Sequence, residues 1–481
     1  MPVKLTDIPE DILFNISEYL TIPDILNLKQ TCRVLHAFGS TDYLWHKLVE
    51  GLGLPLDLPP GLVANVASAD ELQYQAMRAM KLERNWRKPT SVIKQYRRFT
   101  DPGQEVFVHM QLLPGGKWLL AVQRYHRLLM TRPNTRVAVW SLTAAPTSSR
   151  VFSVEFMGNY RCSTMSLLDD GHSAILAIAL SEENEELLEI RRIALYASDS
   201  SYQDRTSAPV RRIHLPEHAL NEYKVIQDVV MQGNILAATV AIFGDNGGVS
   251  FHVLLLDTSD ENSIPQWVDY QYTKDLGSLR VRVQENKIFF VGQSRNTTVI
   301  RVHKLPSAYD VKTSAALQLD EHIAQYENTL PDGFATMADE LYIPGSLRTT
   351  IPVVMFDAIG ARGTACGYVF VFHLTDKAGK ESDRHGIFIP YPSATSQRNV
   401  QLGATGLRMV WVEHDLESGR NRLMKFSMPT TDRGHIHGVL LPDQPNLPFA
   451  LNACNAIAFD EISGRLCLAL YDGSVHILDF V

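Results

Sequence analysis

The first fifty residues hold more apolar side chains than a helical unit of that size can bury. Their spacing matches the helical period and predicts a first helix whose apolar face consists of Ile12, Leu13, Ile16 and Leu20. Pro9 suits the first turn of that helix, because the N–H that proline lacks would have no partner there. The surplus of apolar surface predicts that this unit binds another protein.

Two further helices are expected before residue 50. Thr21 precedes a second segment with helical periodicity, which carries Leu28. A third helix is expected to begin near Ser40 or Thr41 and to carry Leu44, Trp45 and Leu48. No catalytic side chains are grouped in this stretch, so a small three-helix binding unit is predicted.

This stretch resembles an F-box over about 45 residues. The resemblance rests on Ile8-Pro9, Asp11-Ile12, Thr31–Leu35 and the closing aromatic Trp45. It implies docking onto the adaptor of an SCF-type cullin ubiquitin ligase, and through the adaptor onto the cullin. The adaptor-binding residues that we expect are Pro9, Ile12, Leu13, Ile16, Leu20, Leu28, Val34, Leu35, Leu44 and Trp45. The alternative is a generic helical hairpin.

Composition limits the other functions of the 481-residue chain. The net charge of −8 argues against nucleic acid or an anionic membrane as the main partner. No run of eighteen apolar residues occurs, so no transmembrane helix is expected. Five scattered cysteines and the lack of a signal-peptide pattern predict a cytoplasmic or nuclear location, or both.

Residues 51–90 are expected to link the first unit to a larger domain. Pro55, Pro59 and Pro60 exclude a long helix at the start of this segment. Ser68-Ala69-Asp70-Glu71 has the spacing of a capping box, so a helix is predicted from there to about Trp86. That helix leads into residues 91–481.

Short strand patterns separated by turns repeat throughout residues 91–481. Seven units are expected, and their third strands are predicted at Arg136–Leu142, Glu189–Tyr196, Ser250–Asp257, Val299–Lys304, Tyr368–Leu374, Arg422–Ser427 and Ser474–Phe480. The units resemble divergent WD repeats, although no unit ends in Trp-Asp. The fold class is therefore multidomain, α plus all-β: the F-box (1–50), the linker and connecting helix (51–90) and a WD-repeat-like β-propeller (91–481). Seven blades are expected, and six or eight are the alternatives. The alternative to a propeller is another large β-fold, such as paired sandwiches.

The last unit supplies only three strands. Ser91–Phe99 is a strand-like segment without a partner before the first unit. We expect it to complete the last blade and so to close the ring, which removes exposed sheet edges.

No catalytic, cofactor or metal motif stands out. A target protein is expected to bind propeller loops near the central channel, because loops are free to vary. The candidate target-binding residues are Arg124, Tyr125, His126, Arg295 and Arg362. The acidic run Ser181–Glu189 is expected to form a solvated hairpin loop, and a lip for a basic peptide is its functional alternative.

Together these features predict a non-catalytic substrate-recognition subunit of an SCF-type ubiquitin ligase, without cofactors. One alternative is an F-box-containing interaction scaffold with no role in degradation. The other is a propeller enzyme with a site in its central channel, for which no set of convergent acids and histidines is visible.

Overall fold

The structure is a computed structural model. It describes residues 5–59, 62, 64–101, 106–125, 134–143, 148–168, 170–182, 185–196, 211–215, 223–244, 248–260, 262–270, 276–284, 287–294, 297–305, 324–328, 333–337, 353–357, 368–370, 386–388, 395–415, 418–427, 436–441 and 447–481. Among these residues, no helix is both long enough and apolar enough to cross a bilayer.

Five α-helices precede the first strand. They are α1 (Glu10–Ser17), α2 (Ile22–Lys29), α3 (Arg33–Phe38), α4 (Asp42–Glu50) and α5 (Ala69–Trp86). Thr21 and Asp24 form a capping box at the start of α2. The Thr21 hydroxyl and backbone N–H both donate to the Asp24 carboxylate, which holds the pKa of that carboxyl below its usual value.

Helix α3 was not predicted from the sequence, which indicates three helices before residue 50. It has only six residues, and its N-cap Cys32 makes no side-chain capping hydrogen bond. Neither a capping signal nor a full helical period therefore marks it in the sequence. The first unit is a bundle of four short helices.

Helix α5 begins and ends where its sequence signals predict. The Ser68 hydroxyl accepts a hydrogen bond from the Glu71 N–H at 3.3 Å, and Asp70 and Glu71 lie in the first turn, where carboxylates are favoured. The helix ends at Trp86, and it is the one long helix of the described chain.

All the described strands follow α5. The first thirteen are β1 (Gln95–Thr100), β2 (Val106–Leu112), β3 (Trp118–Tyr125), β4 (Asn134–Ser141), β5 (Ser149–Met157), β6 (Asn159–Leu167), β7 (Ser173–Glu182), β8 (Glu185–Ala194), β9 (Arg211–His214), β10 (Tyr223–Gln232), β11 (Ile235–Phe243), β12 (Val249–Asp257) and β13 (Gln266–Tyr270). The next eight are β14 (Ser278–Gln284), β15 (Lys287–Ser294), β16 (Thr297–Lys304), β17 (Ala324–Asn328), β18 (Gly333–Met337), β19 (Val353–Asp357), β20 (Tyr368–Phe370) and β21 (Gly386–Phe388). The last seven are β22 (Thr395–Leu402), β23 (Arg408–Asp415), β24 (Asn421–Ser427), β25 (Ile436–Val439), β26 (Cys454–Asp460), β27 (Arg465–Leu470) and β28 (Ser474–Asp479).

Within the described residues these strands form six antiparallel sheets of four. In chain order the sheets are β2–β5, β6–β9, β10–β13, β14–β17, β22–β25 and β26–β28 with β1. The first strands of successive sheets lie side by side: β6 beside β10, β10 beside β14, β22 beside β26, and β26 beside β2. Sheets of four antiparallel strands arranged around their first strands in this way form a β-propeller.

Two strand pairs stand between the sheets β14–β17 and β22–β25. Strand β18 pairs with β19 and β20 pairs with β21, while β18 lies beside β15 and β19 beside β20. These pairs occur in the chain where the sequence predicts its fifth unit. The described residues therefore form six complete blades, one fewer than the expected seven and equal to the lower alternative.

The last blade joins residues from both ends of the propeller. Strand β1 pairs with β28 over its whole length, from Gln95 opposite Asp479 to Thr100 opposite Ser474. The expected closure of the ring is confirmed, although β1 starts four residues later than Ser91. Gly464 and Gly473 supply the positive φ values of the two turns in this blade.

Apolar clusters fill the spaces between neighbouring blades. One cluster combines Phe107 and Met110 of β2 with Val475 and Ile477 of β28, and these four side chains are buried. Equivalent clusters join the other neighbouring pairs of complete sheets. Because packing occupies the faces of the sheets, the turns and connections at the two ends of the blades are left to bind partners.

Candidate functional site

Helices α1, α3 and α4 present apolar side chains to solvent. Ile12 and Ile16 lie one helical turn apart on the outer side of α1, and Ile12 is 44% exposed. Val34 at the start of α3 and Tyr43 in α4 are also exposed. Exposed apolar side chains on so small a unit make this side of the helices the candidate binding surface.

The ten residues expected at an adaptor interface occupy three environments. Pro9, Ile12, Ile16 and Val34 are exposed, and Leu20 and Leu28 are half-buried. Leu13, Leu35, Leu44 and Trp45 are buried within this chain, so they support the surface and do not contact a partner in this conformation. Leu13, Leu35 and Leu44 pack with Ile25 and Phe38 in the centre of the helical unit.

Trp45 connects the helical unit to α5. Its indole N–H donates to the Gly39 carbonyl at 2.9 Å, and its ring packs in a cluster that contains Leu72 and Ala76 of α5. The ammonium of Lys29 lies 6.0 Å from the ring centroid of Trp45, and the same ammonium donates to the Gln73 side chain at 2.6 Å. The helical unit and the first half of α5 therefore share one core.

The last turn of α5 is inserted into the propeller. Trp86 stacks on Phe459 with ring centroids 5.3 Å apart, and its indole N–H donates to the Phe426 carbonyl at 3.3 Å. Asn85 donates to the carbonyls of Val92 and Phe480, both at 2.7 Å, and accepts from the Val92 N–H at 2.9 Å. These contacts join α5 to the last blade and its neighbour.

Two charged groups also hold the end of α5. The Lys425 ammonium donates to the carbonyls of Trp86 and Lys88, at 2.6 and 2.5 Å, which are acceptors at the C-terminal end of the helix. Burial lowers the pKa of Lys425 to about 8. Arg408, itself buried, forms an ion pair with Glu83 at 2.5 Å. Because both ends of α5 are fixed, the helix acts as a rigid arm between the helical unit and the propeller.

The linker before α5 lies against one face of the propeller. Leu56 to Pro59, together with Leu62, line a cavity of about 490 Å³ whose other walls are the ends of the first strands and the turns that follow them. Asp57 forms an ion pair with Arg78 of α5, which fixes the linker to the arm. We call this side of the propeller the linker face and the opposite side the outer face.

The predicted target-binding residues are only partly described. Arg124 and Tyr125 are the last two residues of β3, at the end of the strand that points to the outer face. The Arg124 guanidinium donates to the Tyr160 carbonyl of the next blade at 3.4 Å, so it also links two blades. His126, Arg295 and Arg362 lie outside the described residues.

The acidic run Ser181–Glu189 differs from the expected loop. Its described residues belong to β7 and β8. Glu189 is fully buried and forms ion pairs with Arg191 and Arg212, at 2.5 and 2.7 Å. The sequence could not show these pairs, because Arg212 comes from a separate strand.

Comparison with known proteins bears on the helical unit first. The family model described as F-box-like matches residues 5–50. Residues 5–50 form an F-box-like domain. Its exposed apolar side chains also include Tyr19 and Tyr43, which are not among the ten residues expected from the sequence. Tyr19 lies beyond the end of α1 at Ser17, so the helical period of α1 does not identify it.

The other two comparisons concern the whole chain. No curated protein matches it. A chain in the solved structure titled "Crystal Structure of Mitotic Checkpoint Complex" is similar to it, with 9% sequence identity and a TM-score of 0.44. The match covers 82% of this chain and 92% of that chain. The β-propeller that follows the F-box-like domain is assigned from its own sheet topology.

Proposed function

We propose that this chain is the substrate-recognition subunit of an SCF-type cullin ubiquitin ligase. The F-box-like domain binds the adaptor, the adaptor binds the cullin, and the propeller binds the target protein. The observation that carries the proposal is the arm: α5 shares one core with the F-box-like domain and a second core with the propeller. We place this activity in the cytoplasm, the nucleus or both.

In this proposal the chain positions the target and supplies no catalytic group. A bound target is held near the ubiquitin-carrying enzyme of the ligase, which raises the effective concentration of its lysines. Such a gain depends on geometry and is lost when the linkage cannot bring both partners together. Fixing α5 at both ends supplies a defined distance and orientation between the adaptor and the target.

The adaptor interface proposed here consists of exposed residues only. It includes Pro9, Ile12, Ile16 and Val34, with Tyr19 and Tyr43 beside them. Replacing buried Leu13 would test the stability of the F-box-like domain and not the interface. Ile12→Asp combined with Ile16→Asp tests the interface directly, because both side chains point to solvent in the free chain.

The test measures adaptor binding and ubiquitylation in a reconstituted ligase. The double variant should bind the adaptor at least about a hundredfold more weakly, since two carboxylates would be buried unpaired in an apolar contact. Ubiquitylation of the receptor itself, which needs no identified target, should fall in parallel. Tyr74→Asp, at an exposed position of α5, is the matched control and should bind normally. Undiminished adaptor binding by the double variant would refute the proposal.

A further inference from the structure

The outer face of the propeller carries exposed apolar side chains on the first and third blades, on either side of the second. Met157 ends β5 and is 60% exposed, Tyr223 begins β10 and is 50% exposed, and Phe243 ends β11 and is 37% exposed. The rings of Tyr223 and Phe243 lie 6.1 Å apart. We call these three residues the outer-face patch.

Hydrogen bonds hold the centre of the patch in place. The Arg161 guanidinium donates to the Tyr223 hydroxyl at 2.9 Å and forms an ion pair with buried Glu186 at 2.7 Å. Glu186 also accepts from the Ile226 N–H at 3.3 Å. Tyr223 is therefore ordered before any partner arrives, which lowers the entropy cost of using it as an anchor.

Two carboxylates, those of Glu182 and Glu185, lie near the patch. Glu182 ends β7 and Glu185, its partner across the ladder, begins β8, so both lie at the outer-face ends of these strands, which we call the acidic tip. Within the described part of the chain, neither forms an ion pair with a lysine or an arginine, and the one ion-pair partner of Glu185 is His214, with Nδ1 3.7 Å from the carboxylate. By contrast, Glu186 and Glu189 are neutralised by arginines.

The acidic tip and the patch adjoin each other. Gly158 connects Met157 to the next blade, and a β-carbon at Gly158 would lie 2.8 Å from the Ser181 carbonyl and 3.6 Å from the Glu182 α-carbon. The backbone that follows Met157 therefore packs against the end of β7, while Arg161 and Glu186 join β8 to Tyr223. The apolar residues and the carboxylates of Glu182 and Glu185 therefore lie on the same face of the propeller.

From this arrangement we propose that the outer-face patch binds a peptide segment of the target that carries lysine or arginine next to a large apolar side chain. The apolar side chain packs against Tyr223 and Phe243, and the basic side chains pair with Glu182 and Glu185. Acidic or phosphorylated segments are repelled by the same carboxylates. This inference rests on the proposed function at one point, which is that the bound peptide belongs to a target of the ligase.

The test selects peptides from a displayed random library on the full-length chain. Selected peptides should be enriched in basic and large apolar residues, and synthetic copies should be titrated against variants. Phe243→Ser, and separately Glu182→Lys with Glu185→Lys, should each weaken binding at least about tenfold, as loss of an interface anchor does. Ile264→Ser, which changes an exposed apolar residue outside the patch, is the control and should bind as the wild type does.

Three results would overturn the inference. They are selection of acidic peptides, equal affinity of the patch variants and the control, and a wild-type dimer that Phe243→Ser dissociates in sedimentation, because a second copy would then occupy the patch. Adaptor binding is measured on the same preparations. Failure of the wild-type chain to bind the adaptor would refute the proposed ligase role. The peptide result could still be interpreted in that case.

Discussion

Trp86→Ala should release the arm from the propeller without unfolding the propeller. Trp86 is 1% exposed and lies between Phe459 and Phe480, with ring centroids 5.3 and 6.0 Å away. Alanine would leave a cavity there and remove the hydrogen bond to the Phe426 carbonyl. Truncation of a buried tryptophan costs about 3–5 kcal/mol in such a setting.

The lost stability should appear as more frequent local opening of the last turn of α5. Amide hydrogen exchange at Leu82 to Arg87 should accelerate by roughly two to three orders of magnitude, since about 1.4 kcal/mol corresponds to a factor of ten. Exchange in β27 should change far less, because the ladder hydrogen bonds of that strand do not involve α5. Adaptor binding should persist, and ubiquitylation should fall because the orientation of the two domains is no longer fixed.

Tyr74→Ala provides the matched control on the same helix. Tyr74 is exposed, so the expected change in the free energy of unfolding is within about 0.5 kcal/mol. Unchanged exchange at the end of α5 in Trp86→Ala would show that the arm is not held by this contact. Equal acceleration of exchange in α5 and in every blade would show that the helix and the propeller unfold together. That result would refute local opening at the end of α5.

Two further predictions concern the propeller. Removing residues 1–80 keeps Trp86 and β1, so the remaining chain should be soluble and melt cooperatively, whereas removing residues 1–100 exposes the edge of β28 and should cause aggregation, measured by light scattering. Equal solubility of the two truncations would contradict ring closure. Burial raises the pKa of Glu461 from 4.5 to about 7, so its contribution to stability is complete below about pH 4.5 and is lost as the pH rises through about 7. Glu461→Gln should flatten the fall in the free energy of unfolding across that window in denaturant titrations, and an unchanged pH slope would contradict the assignment.

The strand order of the propeller could be predicted because each blade repeats a local pattern. The third strands expected at Arg136–Leu142 and Ser474–Phe480 correspond to β4 and β28. Closure followed from simple counting, since the last unit lacked one strand and Ser91–Phe99 lacked a partner. Alternation and turn residues are local properties, and a propeller is built from local hairpins.

The side chains of the binding surface were harder to predict. Leu13 and Ile12 are adjacent and both apolar, but Leu13 faces Ile25 in the core while Ile12 faces solvent. The helical period defines an apolar face and does not say which edge of it a neighbouring helix covers. The burial of Glu189 depended on Arg212, whose position follows only from the pairing of β8 with β9.

The pairing of β1 with β28 also constrains how the chain is made. Tyr96 and His476 contact each other although 380 residues separate them. During synthesis the F-box-like domain leaves the ribosome early, but the ring cannot close until β28 has followed all the other blades. A premature stop codon that removes only β28 would therefore leave the F-box-like domain attached to an open propeller. Under the proposed ligase role, such a product would compete with the full-length protein for the adaptor while lacking an intact target-binding domain, so a late truncation is expected to be dominant.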